Sequence, residues 1–137
     1  MKKLAILAVA AMLLVPMLMA QNEKTDAAKK AAASWLAQVD KGDYAGSYDQ
    51  ASAMFKAAVS KDDWVQKVRG VRGPLGKVVS RKLTSAQYTT SLPGAPDGQY
   101  VVIQYDTSFE NKQAAVETIV LMLDKDGQWR ASGYFIK

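Results

Sequence analysis

The sequence has no cysteine and no histidine. Without cysteine there can be no disulfide, so stability must come from a packed core alone. Without either residue, the usual zinc, haem, iron–sulfur and copper sites cannot be assembled. Ser-His-Asp and Cys-His catalysis fall away for the same reason. No GxGxxG or Walker loop is present. Gly70, Gly73 and Gly76 stand at the wrong spacing and are not followed by Lys-Ser/Thr. The run Asp124-Lys125-Asp126-Gly127 brings two carboxylates into a tight turn, too few for a calcium loop, and reads as a hairpin. No cofactor or metal is therefore expected.

A long apolar run occurs only at the start. Lys2 and Lys3 precede apolar residues 4–15, then come Pro16 and a terminal Met19-Ala20. This is the layout of a cleavable export signal over residues 1–20, with a cut expected after Ala20. The alternative is an uncleaved anchor, for which 17 apolar residues, 4–20, lie at the short edge of a bilayer span. With no cysteine at the cut, bacterial lipoprotein attachment is excluded. Once cleaved, the chain has no stable membrane span, and its expected location is periplasmic or secreted. The remaining residues, 21–137, suffice for a single domain with one core. Removing the two signal lysines leaves sixteen basic residues against thirteen acidic, too slight an excess to mark a nucleic-acid binder.

Helical periodicity opens the domain. Ala27, Ala28, Ala31, Ala32, Trp35, Leu36 and Val39 share a face within residues 25–39, and Gly42 suits a left-handed cap. Asp43 caps a second expected helix, with Tyr44, Tyr48, Ala51, Phe55 and Ala58 on one face. Ser60 opens a third, with Asp63 in the capping-box position and Trp64, Val65, Val68 and also Val71 as inward candidates; Gly70, Gly73, Pro74 and Gly76 should stop it. Strands follow at 78–89, 100–109, 114–123 and 128–136, with a Pro- and Gly-rich loop over 91–98 and a hairpin at Asp126-Gly127. The pattern predicts an α+β domain: three N-terminal helices packed on a curved four-stranded antiparallel sheet.

Trp35-Leu36 with Asp40 and Gly42, then Phe55, Trp64 and the Arg-Gly-Pro-Leu-Gly run at 72–76, carry a family resemblance. It continues through Ser80-Arg81, residues 92–98, Glu117, residues 127–129 and Gly133-Tyr134. In these residues the chain resembles domain-of-unknown-function family 4019, small secreted bacterial proteins. The resemblance implies export and a cone fold similar to nuclear transport factor 2 and the cystatins. It implies no activity and assigns no functional residue.

On a period of two, Arg81 lies with Val79 and Leu83, Glu117 with Ile119 and Leu121, and Tyr105 and Thr107 between Ile103 and Phe109. If those faces meet the helices, Arg81, Tyr105, Thr107 and Glu117 are polar groups in an apolar cone. A buried carboxylate there must be paired or protonated. The set is then either a ligand-orienting pocket, with Glu117 available as a general base, or an Arg81–Glu117 pair that satisfies itself.

Between Asp63 and Asp97 the chain carries Lys67, Arg69, Arg72, Lys77, Arg81 and Lys82 and no acid. Lys67, Arg69, Arg72, Lys77 and Lys82 form a candidate basic surface for envelope lipids or polymers, or simply a solvated face. Aromatics are not interleaved with them, which argues against nucleic acid. The aromatic set Trp35, Tyr44, Tyr48, Phe55, Trp64, Trp129 and Tyr134 reads first as core. Three functional readings remain. The first is a non-catalytic exported binding module with a small-molecule or peptide pocket between helices and sheet. The second is a cell-envelope interaction protein using the basic surface and the stiff loop. The third is a lyase or isomerase with Glu117 or Asp106 as base. An exposed sheet face could also support a homodimer.

Overall fold

The computed structural model describes the backbone of residues 2–137 and the side chains of residues 16–137. The side chains of the expected signal's basic and apolar segments, residues 2–15, lie outside the described residues. Helix α1 runs as one piece from Lys2–Asp40, through Pro16, and Gly42 at φ +80° ends it as expected. Met17, Leu18 and Met19 are exposed on it, and among the described residues the first that is fully buried is Ala28. From there Ala28, Ala32, Trp35, Leu36 and Val39 form the buried stripe. Among the described residues, no helix is long and apolar enough to cross a membrane.

Four helices precede the sheet rather than three. The segment expected to form one helix from Tyr44 to Ala58 is divided into α2 (Tyr44–Asp49) and α3 (Ala53–Ala58). The reason lies eighty residues away. Ala51 bridges Ala131 in parallel, and Ser52 N–H donates to the Ala131 carbonyl at 2.8 Å, so residues 51–52 are drawn out of helical geometry. Ser52 then re-caps the chain, its Oγ accepting from Phe55 N–H. Asp43 and Ser60 cap α2 and α4 (Lys61–Leu75) in the same manner, as the sequence indicates.

Helix α4 also runs beyond its expected stop, through Gly70 and Gly73 to Leu75, and Val71, expected inward, is exposed because the buried face follows Trp64, Val68 and Arg72. Its end is completed from outside. Asn111 N–H donates to the Leu75 carbonyl and Asn111 Nδ2 to the Pro74 carbonyl, so orphan helix carbonyls find partners in the turn between strands. Gly76, at φ +76°, then turns the chain away.

Strands β1 (Val78–Thr89), β2 (Tyr100–Phe109), β3 (Lys112–Leu123) and β4 (Trp129–Ile136) form one antiparallel sheet in sequential order. Alternation along β2 and β3 sends Val101, Ile103, Ile119 and Leu121 inward, all fully buried against α1. Each such side chain contributes about 1.5–3 kcal/mol on leaving water. Trp35 and Trp64 fill the space between sheet and helices. Their indole N–H groups end on Ser47, at its carbonyl (2.8 Å) and its Oγ (3.0 Å). The architecture is α+β, with the helices gathered on one face of the sheet.

Candidate functional site

Inward alternation places Thr107, Tyr105 and Glu117 on the same sheet face as the core residues, near the end of the sheet that the C-termini of α1 and α4 approach. Cross-strand register sets Arg81 opposite Thr107, and Tyr105 opposite Glu117. Glu117 is wholly buried. Its Oε1 accepts from Arg81 Nε at 2.7 Å and Thr107 Oγ1 at 2.5 Å; its Oε2 accepts from Arg81 Nη2 at 3.2 Å and from the Tyr134 hydroxyl. A carboxylate has room for roughly four such donors. Glu117 is full.

Arg81 also closes a second fork. Nη1 and Nη2 donate to Asp40 Oδ2 and Oδ1 at 2.8 and 3.0 Å, while its guanidinium lies 5.9 Å from the Tyr105 ring centre. Asp40 is the last residue of α1, where the helix dipole disfavours a carboxylate. Two arginines answer it, because Arg72 Nη2 also donates to Asp40 Oδ1 at 2.9 Å. Arg72 stacks on Phe109, with 5.0 Å to the ring centre, and its Nη1 lies 3.4 Å from the Tyr134 hydroxyl. Two arginines and two carboxylates thus make a neutral cluster tying α1, α4, β1, β2, β3 and β4 together.

Titration follows from this packing. Burial opposes ionisation of Asp40, but the hydrogen bonds and charges of Arg81 and Arg72 outweigh it and hold its carboxyl below the usual range. Burial costs the Arg81 charge as well, yet Asp40 and Glu117 more than compensate and strengthen its hold on the proton. Tyr134 is pushed well above the ordinary phenol value, by burial first and then by the Glu117 charge and hydrogen bond. Burial likewise raises Tyr105, partly offset by Arg81.

Of the four residues singled out as a pocket, the structure joins Arg81, Thr107 and Glu117 directly and lays Tyr105 beneath Arg81. Sequence reasoning gave no site role to Asp40, which entered among the residues of the family resemblance, or to Tyr134, read as core. It also placed Arg72 on the basic surface, and this is corrected: Arg72 is buried and paired with Asp40. The signal was available, since Trp64, Val68 and Arg72 recur at a spacing of four and share the buried face of α4. Lys67, Arg69, Lys77 and Lys82 are exposed. Arg69 lies over the Tyr44 ring, and Lys82 faces Asp106 across the strands, which offsets its charge.

Surface grooves lie away from Glu117. One of about 570 Å³ runs between α1 and the start of β4, lined by Ser34, Trp35, Gln38, Lys41, Gln128 and Trp129 among others. A second, of about 750 Å³, sits by the β3–β4 hairpin beside Asp49, Asp124 and Asp126. A third, of about 320 Å³, follows the outer edge of β4 under α3, with Phe55, Trp64, Tyr134 and Phe135 among its lining residues. Among the described residues no group of acidic side chains is arranged to hold a metal ion.

Residues 31–134 match the model of a family described as "Protein of unknown function (DUF4019)". No curated protein matches the chain. A solved structure of a protein from Catenulispora acidiphila, 11% identical, superimposes with a TM-score of 0.50 over 91% of this chain and 94% of that one. At that identity the likeness concerns the fold alone.

Proposed function

The chain belongs to the DUF4019 family of proteins of unknown function, and on that premise we propose that it is a non-catalytic, exported binding module. The observation that carries this reading is the saturation of Glu117 by Arg81, Thr107 and Tyr134. A general base needs a free lone pair within reach of a substrate proton, and Glu117 has none. The other acid considered as a base, Asp106, is exposed on the outer face of the sheet, opposite Lys82. With the interior of the cone filled by ions and aromatics, ligands are taken in the clefts at its margin, between helices and sheet. The nuclear transport factor 2-like and cystatin-like comparison belongs to this reading, as a description of a helix-backed curved sheet.

Export is part of the proposal. Residues 16–23 are all exposed, and among the described residues the core begins at Ala28, beyond a cut after Ala20. The destination is then the periplasm or the medium.

Native mass spectrometry of the protein, purified gently from the envelope fraction of its own host, tests both parts. The expected mass is that of residues 21–137 plus a reproducible increment lost on denaturation. An uncleaved mass removes the export reading, and a bare mature mass removes the small-ligand form of the binding reading.

A further inference from the structure

The two edges of the sheet are treated very differently. An exposed strand edge invites pairing with another chain, and proteins usually blunt it with charges, prolines or bulges. Edge strand β1 is blunted in this way. Its pairing is interrupted between Val78 and Ser80 and again between Leu83 and Ser85, and it carries Arg81 and Lys82. On β4 the pairing is interrupted once, at Ser132 between Ala131 and Gly133, and the residues beyond it, 133–136 (Gly-Tyr-Phe-Ile), pair in continuous register and contain no charge and no proline.

This unguarded edge offers hydrogen-bonding groups. Lys137 exchanges both backbone hydrogen bonds with Val116, at 3.0 Å each. Antiparallel alternation therefore directs the backbones of Phe135 and Gly133 toward β3, and the N–H and C=O of Tyr134 and Ile136 off the edge. The chain itself occupies only the first station. Ala51 bridges Ala131 and Ser52 bonds its carbonyl, after which α3 begins and stands off from the strand. The space left between them is the groove of about 320 Å³, walled by Phe55, Val59, Trp64, Tyr134 and Phe135. Phe135 is 62% exposed there, and Lys67 is the one charged residue on the lining.

We propose that this edge docks an extended peptide, which adds a strand beside residues 133–136, sets an apolar side chain against Phe55 and Trp64, and presents a carboxylate to Lys67. Main-chain pairing supplies affinity and the aromatic groove supplies selection, as in other strand-addition complexes. The inference rests on the binding-module reading and names its site and ligand class.

The test uses short acetylated peptides of alternating valine and threonine around a central leucine. One series ends in aspartate with a free carboxylate, the other in lysine amide. Amide hydrogen exchange of the mature protein is followed by NMR. The aspartate series should bind and protect the amides of Tyr134 and Ile136. Ile136→Pro removes an outward donor at a position where an edge strand tolerates proline, and should weaken binding at least about tenfold. Lys67→Glu, at an exposed helical site, should reverse the preference between the two series. Failure of both series to bind, or binding that leaves those two amides unprotected, overturns the proposal. So does sedimentation showing a dimer that Ile136→Pro dissociates, since the edge would then belong to a second copy. A native-mass increment that survives Ile136→Pro would leave the binding module standing and remove this site. Absence of both the increment and peptide binding would remove both.

Discussion

The molecule uses one arrangement twice: an arginine held between two carboxylates. Arg81 lies between Asp40 and Glu117, which are 41 and 36 residues away in sequence. Arg130 lies between Asp124 and Asp126, only 6 and 4 residues away, at the hairpin joining β3 and β4. Donor–acceptor distances are alike, 2.7–2.8 Å for the best contacts in each. What differs is water and chain length. Glu117 is fully buried and its partners come from distant elements, whereas Asp126 is exposed and its partner is already its neighbour. Identical contacts should therefore have very different consequences. The buried set fixes how helices meet sheet; the exposed set decorates a turn that Gly127, at φ +82°, already defines.

The sharpest way to break that contrast is to remove each arginine in turn. Arg81→Met keeps the apolar stem over Tyr105 and strands a buried carboxylate, and should cost about 3–5 kcal/mol in urea denaturation. Adding Glu117→Leu should recover much of that loss, because no charge then remains uncompensated. A loss below about 1 kcal/mol for the single variant would show that water reaches Glu117 and that the cluster is not a dry one.

Tyr134→Phe is the next step down. It removes one donor from Glu117 and should cost about 1–2 kcal/mol. It should also alter the alkaline limb. Tyr134 holds its proton more tightly folded than unfolded, so its stabilisation is intact below its ordinary value of 10.0 and is lost as pH rises above it. The variant should lose less stability above pH 10 than the parent does, and equal losses would exclude Tyr134 as the cause.

Acid separates the two clusters by their carboxylates. Asp40 is depressed when folded, so its contribution is present above its ordinary value of 3.8 and disappears as pH falls through the folded value. Asp40→Asn should cost about 1 kcal/mol at neutral pH, discounted because the side chain is partly exposed, and should flatten the profile below pH 4. A parent-like acid limb would place that titration elsewhere.

The sequence made some of this visible and hid the rest for definite reasons. Strand β2 is where alternation placed it, because one of its faces meets the core and a period of two has no competitor there. Strand β1 was legible instead from its β-branched and aromatic residues, and its alternation is broken at two points. The same period put Arg81 and Glu117 on inward faces. Asp40 and Tyr134 escaped because their roles depend on partners in other elements: nothing near Asp40 announces two arginines from α4 and β1. The break between α2 and α3 was hidden similarly, since residues 51–52 are helical by local preference and extended only because Ala131 is beside them. Arg72 was different. Its spacing from Trp64 and Val68 marked it as inward, and counting it among surface charges gave its charge more weight than its period.

The smallest effect belongs to the exposed set, and it is the one that most directly tests the comparison. Asp126 is held down to about 2 by hydrogen bonds from Arg130 and from the backbone of Gln128. Such a shift invites the conclusion that the pair stabilises the hairpin. Around an exposed carboxylate, however, solvent screens the charge, and the ordering of a long arginine side chain offsets much of what remains. Arg130→Ala should therefore change stability by about 0.5 kcal/mol or less in urea. Raising the salt concentration should shrink even that difference, while the cost of Arg81→Met stays nearly constant because buried charges are poorly screened. If Arg130→Ala instead cost as much as Arg81→Met, geometry would outweigh burial, and the two clusters would have to be regarded as equivalent.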